Sequence, residues 1–444
     1  MHVRLLVAAV VTALALPLSG AARPIDAVST YDYSQNMHPL GFSPRANTTS
    51  PFTANSDLAF WGRTAYQGNY DGFRIIDISS PANPRELIDY RDCAGNQGDV
   101  IIWDDILVRS WNSAAPLGAT CDGEPLPAST FPGGWEGLHV FDVSDPSNPD
   151  LVASVETQCG SHTATGVPDL ANGRLLVYNN SSSSECPGID IVSVPLANPA
   201  GASYLRFEPA GRSCHDTSVI LGDAMLASCA GTGPAGPGLT VWSLGGTAGG
   251  TLTDPQELYQ VNVTNTTTGH SSSFSWDGEI VILGTEPGGG AGARCQPTGT
   301  QLTPTLVQTD EMKSLFFFNA RTGAPLGKWT LTRAQTAAEN CTIHNFNVVP
   351  TDKGRVLVHG SYQSGIGVLD FTDPANATEI AHADPAPLVP TTLGGDWSSY
   401  WYDGLIYESD ITRGLLVWNL SDRAVAGARK LGHLNPQTQE FTID

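Results

Sequence analysis

The chain has 444 residues, with 44 acidic side chains against 22 basic ones and a formal net charge of −22. That balance excludes a binder of phosphate backbones or anionic membranes, because a strongly negative surface is repelled by both. Lysine occurs only at Lys313, Lys328, Lys353 and Lys430, so even a local basic patch would have to be built from arginine; the acidity reads as solubility outside the cell.

Met1–Arg4 give a positive flank, Leu5–Leu18 carry no charge, and small residues follow as far as Ala22. This is the layout of a secretory signal peptide over residues 1–22. Its apolar stretch is too short to span a bilayer, and no later stretch is longer and as apolar. The polar C-terminus, Glu440–Asp444, argues against an anchor of the hydrophobic-tail type. The expectation is an extracellular, secreted monomer with no membrane or nucleic-acid partner. Residues 23–54, rich in Ser, Asn and Pro, read as an irregular N-terminal lead-in.

From residue 55 onward the chain repeats itself. A small residue heads an alternating apolar run at Gly72–Asp77, Gly137–Asp142, Gly188–Ser193, Gly238–Ser243, Ser314–Asn319, Gly365–Asp370 and Gly414–Asn419. Successive starts lie 65, 51, 50, 76, 51 and 49 residues apart, so the unit is about 50 residues with extra length in the second and fifth copies. Each run has the β-branched and aromatic content of a strand, punctuated by Gly or Pro. No long stretch shows a 3.6-residue apolar period, which argues against interleaved helices. Several strands per unit at this period predict an all-β fold, a seven-bladed β-propeller over residues 55–444.

Within each unit the runs are third strands. Leu87–Tyr90, Leu151–Val155, Leu258–Val261 and Ile380–Ala383 are outer strands, and the preceding segments are first and second strands. The last blade is expected to close with Arg429–Phe441, an N-terminal strand being the alternative. Asp77–Pro84, Asp142–Pro149 and Asp370–Pro374 read as capped turns, in which Asp and Ser bond nearby amides while Pro presets the bend. They lack the ligand spacing of a calcium loop.

The pattern of a His-Asp-Val-like start followed by Gly-Leu-x-Val-x-Asp-x-Ser-x-Pro-x-x-Pro resembles the LVIVD repeat family of secreted β-propellers, from about Asn55 to Asn419. The resemblance implies an extracellular propeller and carries no general chemistry. Units four and five depart from the proline turn, with Trp242-Ser243-Leu244 running into Gly245-Gly246 and Asn319-Ala320 into Arg321.

Eight cysteines in an exported chain predict four disulfides. Spacing alone allows on the order of a hundred connectivities, but in a repeat sequence neighbours fall within one blade or across adjacent blades. That gives Cys93 with Cys121, Cys159 with Cys186, Cys214 with Cys229, and Cys295 with Cys341. No close cysteine pair of the zinc-ligating kind is present. Glycosylation sequons start at Asn47, Asn179, Asn180, Asn262, Asn265, Asn340, Asn376 and Asn419, and a eukaryotic host would make this a glycoprotein at some of them.

In a propeller the residues heading successive first strands converge on one mouth of the central channel. His162, His215, His270 and His344 hold that place in units three to six. Ser56 or Asp57, Gln97 or Asp99, and Asp396 hold it elsewhere. Neutral imidazole is a common transition-metal ligand, so the four histidines are candidate metal ligands for Zn, Mn, Fe or Cu. The arrangement is similar in kind to carotenoid-cleaving oxygenases and oligogalacturonate lyases, by architecture alone.

The competing reading has each histidine bonding backbone and neighbouring blades so as to seal the channel. Asp216 and Asn345, as strand neighbours of histidines, are expected to point the other way. Asp99, Glu286, Asp396 and Trp397 are candidate ligand-binding residues. Glu286 sits in a glycine-rich loop, and Trp397 belongs to an aromatic segment suited to sugar stacking. No nucleophile elbow, phosphate loop or His-Glu-x-x-His helix is present.

Two functions follow. The first is a secreted propeller binding a small molecule, glycan or protein at its channel mouth. The second is a metal-dependent lyase, hydrolase or oxygenase using the histidines.

Overall fold

The computed structural model describes residues 27–45, 54–131, 133–181, 185–388 and 393–443. The proposed signal peptide and Asn47 lie outside them. Seven antiparallel sheets form the blades of a β-propeller. Their inner strands are Asn55–Trp61, Val100–Trp103, Ala164–Asp169, Ser213–Ile220, Gly269–Phe274, Phe346–Val348 and Asp396–Tyr402. All seven apolar runs are third strands, and the four expected outer strands are fourth strands, although in blade six Asp32–Tyr33 pairs outside Ile380–Ala383 as a fifth.

Why a small residue heads the third strand is a matter of space. A Cβ on Gly72 would lie 1.8 Å from the Tyr90 carbonyl oxygen, and one on Gly137 2.1 Å from that of Val155. The outer strand therefore passes where a side chain would be. The turns that follow are capped as expected: Asp77, Asp142 and Asp370 each accept from the amide two residues on, at 2.9 Å.

Every blade is apolar on both faces because it is covered on both faces. Among the described residues, seven buried clusters each join two adjacent blades. Val108 and Val140 of blade two, for example, meet Leu175 and Val192 of blade three. The cluster of Phe60 and Ile76 with Tyr402 and Val417 joins blade one to blade seven and so closes the ring. Burying one such side chain is worth roughly 1.5–3 kcal/mol.

Closure differs from the expectation. The outer strand of blade seven is Met37–Pro44, drawn from the stretch read as irregular, and it pairs antiparallel with Gly414–Leu420. Residues 429–441 instead cross beneath the ring. His433–Leu434 pairs with the end of the inner strand of blade one, and Thr438–Gln439 with that of blade four. The Asn435 side chain bonds both the amide and the carbonyl of Ile102 in blade two. Thr438 and Gln439 donate to the carbonyls of Gly166 and Phe274. This tail closes one end of the channel by acting as a strand partner for inner strands that would otherwise end unpaired.

All four disulfides join the pairs expected from the sequence. Of the sequon asparagines, Asn262, Asn265 and Asn376 are exposed, whereas Asn179, Asn180 and Asn340 are buried and unavailable to a glycan in the folded protein. Among the described residues no helix is long and apolar enough to cross a membrane.

Candidate metal centre at the channel mouth

Inner strands start at the end of the channel opposite the tail, and their first residues do not alternate strictly. A register shift falls between Cys214 and Asp216, another between Gly269 and Ser272, and others between Asn55 and Leu58 and between Asp396 and Ser398. In blade six the Gly360 carbonyl accepts from His344 while its amide donates to Asn345, the same two-against-one arrangement. Such β-bulges re-aim side chains. Consecutive residues therefore both reach the channel, and Ser56, Asp57, His215, Asp216, His344 and Asn345 all line one recess open at the mouth. Asp216 and Asn345, expected to point away, are thus part of the wall.

The recess gathers His162, His215, His270, His344, Asp99, Glu286 and Trp397. It does not include Asp396. That carboxyl is buried behind the wall, where it accepts from the Ser399 hydroxyl at 2.7 Å, and burial together with Glu408 pushes it well above the carboxylate range. The sequence reading also passed over Tyr362, which follows the second strand of blade six. Its backbone sits at φ 48°, and its hydroxyl donates to Glu286 Oε1 at 2.6 Å. No sequence signal marks it, since the positive φ falls on a tyrosine rather than a glycine.

The four histidines follow one another from blade three to blade six, with ring centroids 4.2, 3.8 and 4.3 Å apart. They form a row rather than a single four-histidine cage. Among the described residues two trios in the recess bring one ligand atom of each residue within 4.8 Å of the others: His270, Glu286 and His344, and His215, Asp216 and His270. His162 belongs to neither; its Nε2 lies 2.7 Å from His215 Nε2, so the two share one N–H.

The electrostatics of the row follow from burial. His162, His270 and His344 are held below the ordinary imidazole range by burial, and each also by neighbouring imidazoles. Burial opposes charge on His215 as well, yet the Asp216 carboxylate raises it above that range. Deeper in the recess burial raises Asp57 to about 6, and raises Asp99 further with the help of Asp57.

His344 shows which nitrogen is free. Its Nδ1 donates to the Trp397 carbonyl at 2.6 Å, which leaves the Nε2 lone pair facing Glu286 Oε1 at 3.9 Å. His270 Nε2 lies 3.8 Å from Glu286 Oε2. A backbone carbonyl on the remote nitrogen is the usual way in which a ligating imidazole is oriented.

The LVIVD repeat profile matches residues 56–92 and 133–157, which are blade one and the outer half of blade two. The chain carries LVIVD repeats. No curated protein matches this LVIVD-repeat propeller in sequence. Among solved structures it is similar to Raptor of Chaetomium thermophilum, with 12% identity and a TM-score of 0.51 over 89% of this chain and 30% of that one. It is also similar to the computationally designed Ika8 protein, with 12% identity and a TM-score of 0.46 over 86% and 99% of the two chains. At such identity the likeness to Raptor shows the fold alone, and this chain spans under a third of Raptor's length.

Proposed function

We propose that this LVIVD-repeat propeller holds a divalent transition metal between His270 Nε2, His344 Nε2 and the Glu286 carboxylate, and binds a small oxygen-bearing ligand at the positions left open. The observation that carries this reading is the commitment of His344 Nδ1 to the Trp397 carbonyl, which fixes the tautomer with a bare Nε2 beside a carboxylate. Two imidazoles and one carboxylate are a donor set suited to zinc or iron with vacant positions. Such an ion would supply Lewis acidity toward a bound oxygen. Tyr362 holds the carboxylate in place, and the edge-to-face rings of Tyr362 and Trp397, 6.2 Å apart, form the wall beside it.

A ligand-binding role without chemistry is the second reading. Its support is the lining of the recess, where imidazoles and carboxylates lie beside the Tyr362 and Trp397 rings, a combination that suits a small polar ligand. Four disulfides fit an oxidising, extracellular setting for either role.

The test is Co²⁺ binding by the full chain, followed by visible absorption and metal analysis. Wild type should bind tightly, and Glu286→Gln and His344→Ala should each weaken the ion in this position by about 100-fold or more. Unchanged binding in both variants, or no binding by wild type, rejects the metal reading.

A further inference from the structure

We infer that the mouth has a second metal position, formed by His215 Nδ1, His270 Nδ1 and the Asp216 carboxylate, with the His270 ring shared between the two positions as an imidazolate whose one N–H proton is released to solvent when both ions are bound. This deepens the proposed function and rests on it for the ligation of His270 Nε2.

Three observations carry it. The first is spacing. Asp216 Oδ1 is 3.5 Å from His215 Nδ1, and Asp216 Oδ2 is 3.7 Å from His270 Nδ1. These are too long for N–H···O hydrogen bonds, which run at about 2.7–3.2 Å. They are close to the roughly 3.3 Å that separates two ligands each about 2.0–2.1 Å from one tetrahedral ion. Elsewhere in the same cluster, polar pairs that do bond sit at 2.6 and 2.7 Å, so the longer pairs are not a sign of loose packing.

The second is that neither nitrogen makes a hydrogen bond of normal length and angle. His215 Nδ1 and His270 Nδ1 are both buried without a hydrogen-bond partner, and the His270 side chain is 2% exposed. A buried imidazole nitrogen left unmatched is destabilising, and here two of them face one carboxylate. The His162 contact accounts for the remaining nitrogen of His215: with the shared N–H on His215 Nε2, a neutral ring has its lone pair on Nδ1.

The third is the bulge at Cys214–Asp216. Strict alternation would turn Asp216 toward the neighbouring blade, and the register shift brings it into the recess beside both rings. The site thus has three donors from two adjacent blades, and its donor chemistry, two imidazoles and one carboxylate, selects a divalent transition ion over Ca²⁺ or Mg²⁺.

Stoichiometry tests the inference and separates it from the reading beneath it. The full chain is stripped with chelator, loaded with Zn²⁺, dialysed and analysed for metal, with circular dichroism confirming the fold of each variant. Two ions per chain are expected, falling to one in Asp216→Asn, to one in Glu286→Gln and to none in His270→Ala. One ion in wild type that survives Asp216→Asn and is lost in Glu286→Gln overturns the second position and leaves the first standing. One ion with the opposite pattern overturns the first position and the two-ion centre together. Two ions unaffected by Asp216→Asn and by His215→Gln also overturn the inference.

Discussion

The two ends of the channel are made from the same repeated strands and are finished in opposite ways. At the base, the tail gives the strand ends what they lack: backbone pairing in blades one and four, an amide side chain in blade two, and hydroxyl and amide donors in blades three and five. His433 stacks on Trp61 at 4.3 Å, and Leu434 is buried beside Phe60. At the mouth, among the described residues, no such segment arrives, and His215 Nδ1, His270 Nδ1 and Asn345 Oδ1 are buried without hydrogen-bond partners. Propeller symmetry would make the ends equivalent in need. The base is completed by the chain's own tail, and the reading proposed above gives the donors at the mouth to a bound ion.

Substitutions at the two ends should therefore have opposite signatures. Leu434→Ala, at the base, should cost about 2–5 kcal/mol of stability as a large-to-small change in a buried site, with metal content unchanged. Denaturant unfolding measures the first and metal analysis the second; a loss of under about 1 kcal/mol would mean that the base is not a stabilising closure.

A pH series sharpens the comparison by locating a third contribution in the blade walls. Burial raises Asp190 to about 6, although the Cys159 amide donates to it. Its native carboxyl binds a proton more readily than the unfolded one, so between about pH 4 and 6 the folded state holds more protons. Stability from this group is then present at the acid side and lost as pH rises through that window. Burial holds His139 and His359 down at about 3, which works in the other direction, removing stability as pH falls below the unfolded histidine value of about 6.5. Asp190→Asn should leave a melting temperature that rises more steeply between pH 4 and 6 than in wild type. An identical slope would place the titrating groups elsewhere.

The smallest expected effect is at the mouth. His270→Ala should change the stability of the metal-free protein by no more than about 1 kcal/mol, because the side chain it removes carries an unpartnered buried nitrogen. A loss as large as that of Leu434→Ala would show the histidine row to be a structural seal and would erase the distinction between the ends.

The features that were legible in the sequence are those set by neighbours. Third strands, capped turns and disulfides depend on residues within one or two units, and their periodicity announces them. The gathering of His162, His215, His270 and His344 follows from the repeat as well. What the sequence hides is set elsewhere. Met37–Pro44 contains two prolines and a bulge between Pro39 and Gly41, so it carries no alternating signal, and only the unpaired edge of Gly414–Leu420 makes it a strand. The bulge at Cys214–Asp216 breaks the alternation that would turn Asp216 away, and the same kind of bulge puts Trp397 rather than Asp396 in the recess. Tyr362 reaches Glu286 across the gap between blades, a contact that no local pattern encodes.

The N-terminal strand in blade seven also sets an order of events. It is made before all seven inner strands and finds its partner after them, as does Tyr31, whose hydroxyl donates to Glu408 377 residues later. Until that clasp shuts, blades one and seven each keep one oily face in water, and no partial ring can hide both. Such distant pairing is slow to form and exposed to aggregation meanwhile. The fold should thus behave as a single cooperative unit whose weakest seam is the one between blades one and seven.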